Sequence, residues 1–142
     1  MTFSRDIMPL IREEVTRVAS SAYDDSGNSL YDAIIIKSRD EATLNRMYRD
    51  AVSALVARTS DIARYDMGED GEDNLSFYVP DIDTSTLPLV TQEIIRHISL
   101  NIVGAWLQEK YTDAAEGYIA RGQLALDKVI RMLKTRKKPT RI

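Results

Sequence analysis

The 142-residue sequence contains no cysteine, one histidine (His97), four prolines and six glycines. Without cysteine, disulfides, thiolate chemistry and cysteine-ligated zinc sites are excluded, and the chain fits a reducing compartment. A single histidine also removes most zinc sites and most arrangements of catalytic histidines. Proline and glycine are too scarce for a turn-rich all-β fold. Function must therefore depend on charged residues, helices and surfaces.

The composition is that of one ordinary soluble domain. Hydrophobic residues make up 44% of the chain and charged residues 29%, and this length can bury a single core. No apolar run of signal-peptide length lies near residue 1, so we expect synthesis in a cytoplasm. The most apolar stretch, residues 88–107, is interpreted as a core helix without membrane contact, because a lipid-spanning helix would bury its polar residues at high cost: Gln92, Glu93, Arg96, His97 and Asn101.

Apolar residues recur at three- and four-residue spacing in four segments, a pattern that predicts four amphipathic helices. The second helix can be capped by Ser38 or Asp40 and is expected to run to about Tyr65. The third begins near Pro88, and the fourth follows a break at residues 111–113. The four apolar stripes are, in chain order, Ile7, Ile11, Val15, Val18 and Ala22; Leu44, Tyr48, Ala51, Leu55 and Ile62; Ile94, Ile95, Ile98, Ile102, Ala105 and Trp106; and Ala115, Ile119, Gly122, Leu126, Val129, Ile130 and Leu133.

Two short segments are candidates for β structure. Residues 75–79 are predicted to form a strand that Pro80 ends. Residues 33–37 are short and β-branched, and they fit either a brief strand or a helical turn. We therefore predict a mainly α fold, a four-helix bundle-like domain with a small β hairpin or strand element. This single domain covers residues 1–133, and residues 134–142 form a basic C-terminal tail that serves as an interaction segment.

The net charge of −3 hides two blocks of opposite sign. One block has seven acids and no base: Asp66, Glu69, Asp70, Glu72, Asp73, Asp81 and Asp83. The other has seven bases and no acid: Lys128, Arg131, Lys134, Arg136, Lys137, Lys138 and Arg141. Three interpretations compete. The two blocks can be solvated surface, or the basic tail can contact nucleic-acid phosphates. In the third, the acidic loop of one subunit contacts the basic tail of the next, and such head-to-tail contacts form a ring when the rotation from one subunit to the next closes.

The sequence does not carry the motifs of common enzymes. It lacks a phosphate-binding loop and a dinucleotide-binding fingerprint. His97 shares a helix face with Glu93 and Asn101, but a metal there would need further ligands, so we expect a satisfied, partly buried histidine. Trp106 and Tyr118 are expected in the core rather than in a ligand pocket. We therefore predict no catalytic residues, no metal site and no cofactor.

The order of elements in the C-terminal half resembles the small helical head–tail connector proteins (head completion or adaptor proteins) of tailed bacteriophages, which sit as rings beneath the portal. A strand-like segment at residues 75–80 precedes an apolar helix that carries Ala105-Trp106-Leu107, close to the Ala-x-x-Trp and Ala-Trp-Tyr pieces of such proteins. A last helix ends in a basic segment at residues 136–141 that is similar to the one on small virion-cluster proteins of phages and prophages from Bacteroidetes. The likeness covers roughly residues 66–142.

The resemblance implies a structural virion protein, made in the host cytoplasm, that forms a homo-oligomeric ring of about twelve copies at the neck. Its partners would be further copies of itself, the portal protein and tail or neck proteins. The tail residues expected to bind the portal or a neighbouring subunit are Lys134, Arg136, Lys137, Lys138 and Arg141. The acidic loop expected to contact a subunit comprises Asp66, Glu69, Asp70, Glu72 and Asp73. Two alternatives use the same tail: non-specific contact with passing DNA, or a nucleic-acid-binding accessory protein.

Overall fold

The structure, a computed structural model, describes residues 2–4, 7–66, 74–79 and 84–134, with the backbone alone at residues 2–4, 66, 74–77 and 84. Its helices are α1 (Ile7–Ser20), α2 (Tyr31–Ile34), α3 (Glu41–Thr59), α4 (Leu87–Lys110) and α5 (Thr112–Leu133). Its strands are β1 (Thr2–Ser4), β2 (Arg64–Asp66) and β3 (Asn74–Tyr78). The prediction of a mainly α fold is confirmed.

Helix α4 is the centre of the domain. It packs against α1, α3 and α5, and it buries residues on more than one face, among them Val90, Ile94, Ile102 and Leu107. This arrangement confirms that the stretch at residues 88–107 is a core helix. In the described ranges, no helix is both long enough and apolar enough to cross a membrane.

Helices α4 and α5 form a closely packed hairpin that turns at Tyr111. Two glycines allow the backbones to approach. A Cβ atom added at Gly104 would lie 2.8 Å from Cγ1 of Ile119 and 3.2 Å from its backbone nitrogen, and one at Gly122 would lie 3.4 Å from the backbone nitrogen of Asn101. Because larger side chains would push the helices apart, these glycines set the spacing of the hairpin.

The ambiguous segment at residues 33–37 begins as a helical turn. Helix α2 is a single turn whose Ile34 is fully buried, and the backbone becomes extended at Ile35 (φ −62°, ψ 149°). The indole Nε1–H of Trp106 donates a hydrogen bond to the carbonyl oxygen of Ile34 at 2.6 Å. This hydrogen bond joins α4 to α2 and occupies the carbonyl oxygen of Ile34, which would bond to a neighbouring strand if the segment were itself a strand.

The prediction that the second helix reaches Tyr65 is wrong, because α3 ends at Thr59. The hydroxyl of Thr59 donates to the carbonyl of Leu55 at 2.7 Å and accepts a hydrogen bond from the hydroxyl of Tyr65 at 2.7 Å. Tyr65 itself lies in β2, which pairs antiparallel with β3. The chain therefore turns at residues 60–63 so that residues 64–66 can join the sheet.

The small β element is a three-stranded antiparallel sheet in the order β1-β3-β2. The strand predicted at residues 75–79 is confirmed as β3, which is the central strand. Phe3 pairs with Leu75 on one side, and Tyr65 pairs with Phe77 on the other. The sheet therefore joins the start of the described chain to the segment just before α4.

Candidate functional site

The structure fixes where the two predicted interaction segments begin. Lys134 is exposed at the C-terminal end of α5, where its backbone N–H bonds to the carbonyl of Ile130 at 3.2 Å. Asp66 is the last residue of β2. The remaining predicted site residues lie outside the described residues: Arg136, Lys137, Lys138 and Arg141 of the tail, and Glu69, Asp70, Glu72 and Asp73 of the acidic loop. In chain order, the tail therefore follows α5, and the acidic loop falls between the paired strands β2 and β3.

His97 is a structural residue of the hairpin. It is only 2% exposed, and its Nδ1–H donates to the carbonyl oxygen of Gly122 on α5 at 2.8 Å. Its Nε2 has no hydrogen-bond partner among the described residues. Burial lowers the pKa of His97 below its ordinary 6.5, and the nearby charge of Arg58 lowers it further, against the opposing effect of the Gly122 carbonyl. The imidazole is therefore neutral at pH 7. The expectation of a satisfied, partly buried histidine holds for Nδ1 alone, because the side chain is fully buried and its Nε2 has no partner among the described residues.

We expect the free energy of unfolding to fall as the pH drops below about 6.5, the ordinary pKa of histidine. The unfolded chain binds a proton at His97 more readily than the folded chain, so acid favours unfolding by up to about 1.4 kcal/mol per pH unit until the lowered folded pKa is reached. Urea denaturation between pH 5 and 7 measures this slope. His97→Asn is the control, because its amide keeps a donor near the Nδ1 position and does not titrate. An equal slope in both proteins would contradict the assignment.

A second polar cluster joins α1 to α5. The carboxylate of Glu14 accepts hydrogen bonds from the guanidinium of Arg17 and the hydroxyl of Tyr118, and Arg17 Nη2 lies 3.1 Å from that hydroxyl. The bond from Arg17 lowers the pKa of Glu14, whereas burial raises the pKa of Tyr118. The guanidinium of Arg121 stacks 4.4 Å from the centre of the Tyr118 ring. The spacing of Glu14 and Arg17 was visible in the sequence, but the part played by Tyr118 was not.

This cluster lies beside an open groove between α1, α4 and α5, with a volume of about 470 Å³. Apolar side chains of α4 line it, among them Ile95, Leu100 and Val103, and charged residues from all three helices surround them. Leu10 on α1 also lines it and is 51% exposed. The groove is lined by charges of both signs, so it is a better match for the surface of a partner protein than for a small ligand with a single charge.

Further apolar side chains are exposed on other parts of the domain. They lie on the sheet, at the start of α4 and on α5: Tyr78 is 65% exposed, Leu89 55% and Leu124 67%. Single exposed apolar residues are common on soluble proteins. Here they occur on separate elements, so contacts with partners could use more than one face.

The described residues contain no cluster of three or more histidine, aspartate or glutamate side chains placed to hold a metal ion. Trp106 is 2% exposed and belongs to the core, as its position in the apolar stripe predicted. Asp24 uses its carboxylate to accept bonds from the backbone N–H groups of Ser26 and Asn28, at 2.9 and 2.8 Å. The Asp24 carboxylate thus stabilises the turn at residues 24–28.

No protein-family model, curated protein or solved structure matches this chain.

Proposed function

We propose that this protein is a non-enzymatic structural subunit of a tailed-bacteriophage virion, which forms a ring at the head–tail junction and links the portal to the tail. The order of elements from residue 74 onward carries the proposal. Strand β3 precedes the central helix α4, and the amphipathic helix α5 leads directly into the basic tail. This order is the one in which the sequence resembles head–tail connector proteins.

The distribution of surfaces supports the same proposal. A ring subunit touches a neighbour on each side and another protein layer above and below, so it needs several contact surfaces. Exposed apolar residues on α1, β3, α4 and α5 provide such surfaces. In the chain, the acidic loop follows β2 and the basic tail follows α5, and opposite charges set the orientation of a contact well.

The test is quantitative mass spectrometry of purified phage particles, in which this chain is counted against the major capsid protein. We expect a fixed count of about twelve per particle, as for a single closed ring. Absence of the chain from particles would exclude the proposal.

A nucleic-acid-binding accessory protein is the second candidate. It is favoured by the seven bases from Lys128 to Arg141, a stretch without an acid. Binding to duplex DNA by the purified monomer, with an affinity that falls steeply as salt rises, would support this candidate.

A further inference from the structure

Helix α5 exposes two edges of different character. The acidic edge comprises Glu116, Ile119, Gln123 and Asp127, and the basic edge comprises Arg121, Leu124 and Lys128. All seven residues are exposed. On an α-helix with 3.6 residues per turn, the two sets lie on either side of the solvent-facing centre of the helix.

The neighbours of each edge confirm that they flank the hairpin on opposite sides. Ile119 and Gln123 line a small cavity of about 50 Å³ together with His97 and Asn101 of α4. On the other side, the basic edge lines a separate cavity of about 150 Å³ with residues of α4 that include Glu93 and Arg96. The two edges therefore face different neighbours around the hairpin.

The two edges carry accessible charges of opposite sign. In the described part of the chain, neither Glu116 nor Asp127 has a cation within ion-pair distance. On the basic edge Lys128 pairs with Glu93 at 3.2 Å, but the exposed Arg96 lies on the same side and keeps the charge positive. Between residues 116 and 128, one edge thus offers negative charge and the other offers positive charge, whereas Lys134 follows the acidic edge at the C-terminal end of α5.

Each edge also has an exposed apolar side chain near its middle. Leu124 is 67% exposed on the basic edge, and Ile119 is 41% exposed on the acidic edge. An apolar contact surrounded by charged residues is the usual anatomy of a protein interface. The natural complement of the basic edge is therefore a surface like the acidic edge of the same chain.

The spacing along the helix fits a parallel neighbour. Arg121 and Lys128 are centred three residues beyond the centre of Glu116 and Asp127, which is about 4.5 Å along the axis at 1.5 Å per residue. When a parallel copy slides by that distance, each base comes within about 3 Å along the axis of an acid. The same slide brings Leu124 to about 3 Å along the axis from Ile119 of the other copy.

The difference in charge between the two edges also restricts the symmetry of a contact between copies. A two-fold contact through one edge would place like charges against each other, which opposes binding. A contact between unlike edges leaves the second edge of every copy free for the next one. Of such contacts, a parallel arrangement can repeat from copy to copy, and it closes into a ring when the α5 axes are tilted against the ring axis enough to absorb the slide of about 4.5 Å.

We propose that the basic edge of α5 binds the acidic edge of α5 in a second, parallel copy of this chain. The contact rests on the proposed ring-forming function and assigns a surface to it. It uses the hairpin itself, separately from the acidic loop and the basic tail.

The test uses two charge-reversed variants of the full chain, measured by sedimentation velocity and native mass spectrometry. One carries Glu116→Lys with Asp127→Lys, so that both edges are basic, and the other carries Arg121→Glu with Lys128→Glu, so that both are acidic. We expect wild-type protein to assemble and each variant alone to bind itself at least about 100-fold more weakly, because like charges then meet at every contact. An equimolar mixture should assemble again, with the two variants alternating.

Recovery in the mixture separates an altered interface from a failure to fold. Two matched controls make the same changes of net charge at exposed positions on other elements, Glu41→Lys with Asp50→Lys and Arg39→Glu with Arg46→Glu, and both should assemble like the wild type. Wild-type protein that stays monomeric, or folded variants that assemble as the wild type does, would overturn the inference.

The outcomes also separate this inference from the proposed function. Charge-reversed variants that assemble only when mixed, together with absence of the chain from phage particles, would support the α5 contact and reject the virion role. A fixed count in particles, with assembly unaffected by the reversals, would support the virion role and reject the α5 contact.

Discussion

Replacing Trp106 by alanine should lower the free energy of unfolding by about 3–5 kcal/mol. The indole is 2% exposed, and its removal leaves a large cavity between α4 and its neighbours. The substitution also removes the donor that occupies the buried carbonyl of Ile34 at 2.6 Å. Since domains of this kind are stable by about 5–15 kcal/mol, the variant should lie close to unfolding at room temperature.

The measurement is urea denaturation followed by circular dichroism, because the substitution removes the only tryptophan and with it the fluorescence signal. Trp106→Phe is the informative comparison: it keeps most of the buried surface but leaves the Ile34 carbonyl without its donor, and we expect a smaller loss of about 1–3 kcal/mol. Leu89→Ala, at a residue 55% exposed, is the matched control and should change stability by less than about 0.5 kcal/mol. A loss below about 1 kcal/mol for Trp106→Ala would contradict a core role.

The helices could be predicted because their apolar residues follow the helical period. Ile7, Ile11 and Val15 are buried in α1 as their spacing required. In α4, apolar residues on several faces predicted a central helix, and α4 does pack against α1, α2, α3 and α5. The break at residues 111–113 predicted the turn of the hairpin.

Contacts between distant parts of the chain could not be predicted in this way. The hydrogen bond from Trp106 to Ile34 spans 72 residues, and that from Tyr118 to Glu14 spans 104. Neither depends on a local period or on a turn. The early end of α3 has a similar cause, because the pairing of Tyr65 with Phe77 in the sheet overrides a continued helical pattern.

Part of the candidate site could likewise be predicted from local sequence, and part could not. The basic tail and the acidic loop are runs in the sequence and could be read directly. The two edges of α5 could not, because acids and bases alternate along residues 116–128 and separate only when the helix is formed. Which side of α4 each edge borders is a property of the hairpin that Gly104 and Gly122 allow to pack closely.

The tail should matter to assembly independently of α5. Replacement of Lys134, Arg136, Lys137 and Lys138 by glutamine should abolish ring formation while the helicity of the monomer stays unchanged, because these bases lie at or beyond the end of α5. If each base makes one exposed ion pair worth about 0.5 kcal/mol, the loss of four weakens each contact about thirtyfold. Sedimentation velocity measures assembly, and circular dichroism measures helicity.

The control for the tail must change the net charge equally, since added self-repulsion alone can oppose association. Replacement of Arg39, Arg46, Arg58 and Arg64, which are exposed, by glutamine removes an equal number of positive charges from the domain itself. We expect this control to assemble, and we expect rising salt to weaken the wild-type ring. Equal loss in both variants would assign the effect to net charge, and unchanged ring formation by the tail variant would exclude the tail as a binding segment. Because Arg121 and Lys128 stay intact in the tail variant, a complete loss there would mean that the α5 edges alone cannot hold the ring together.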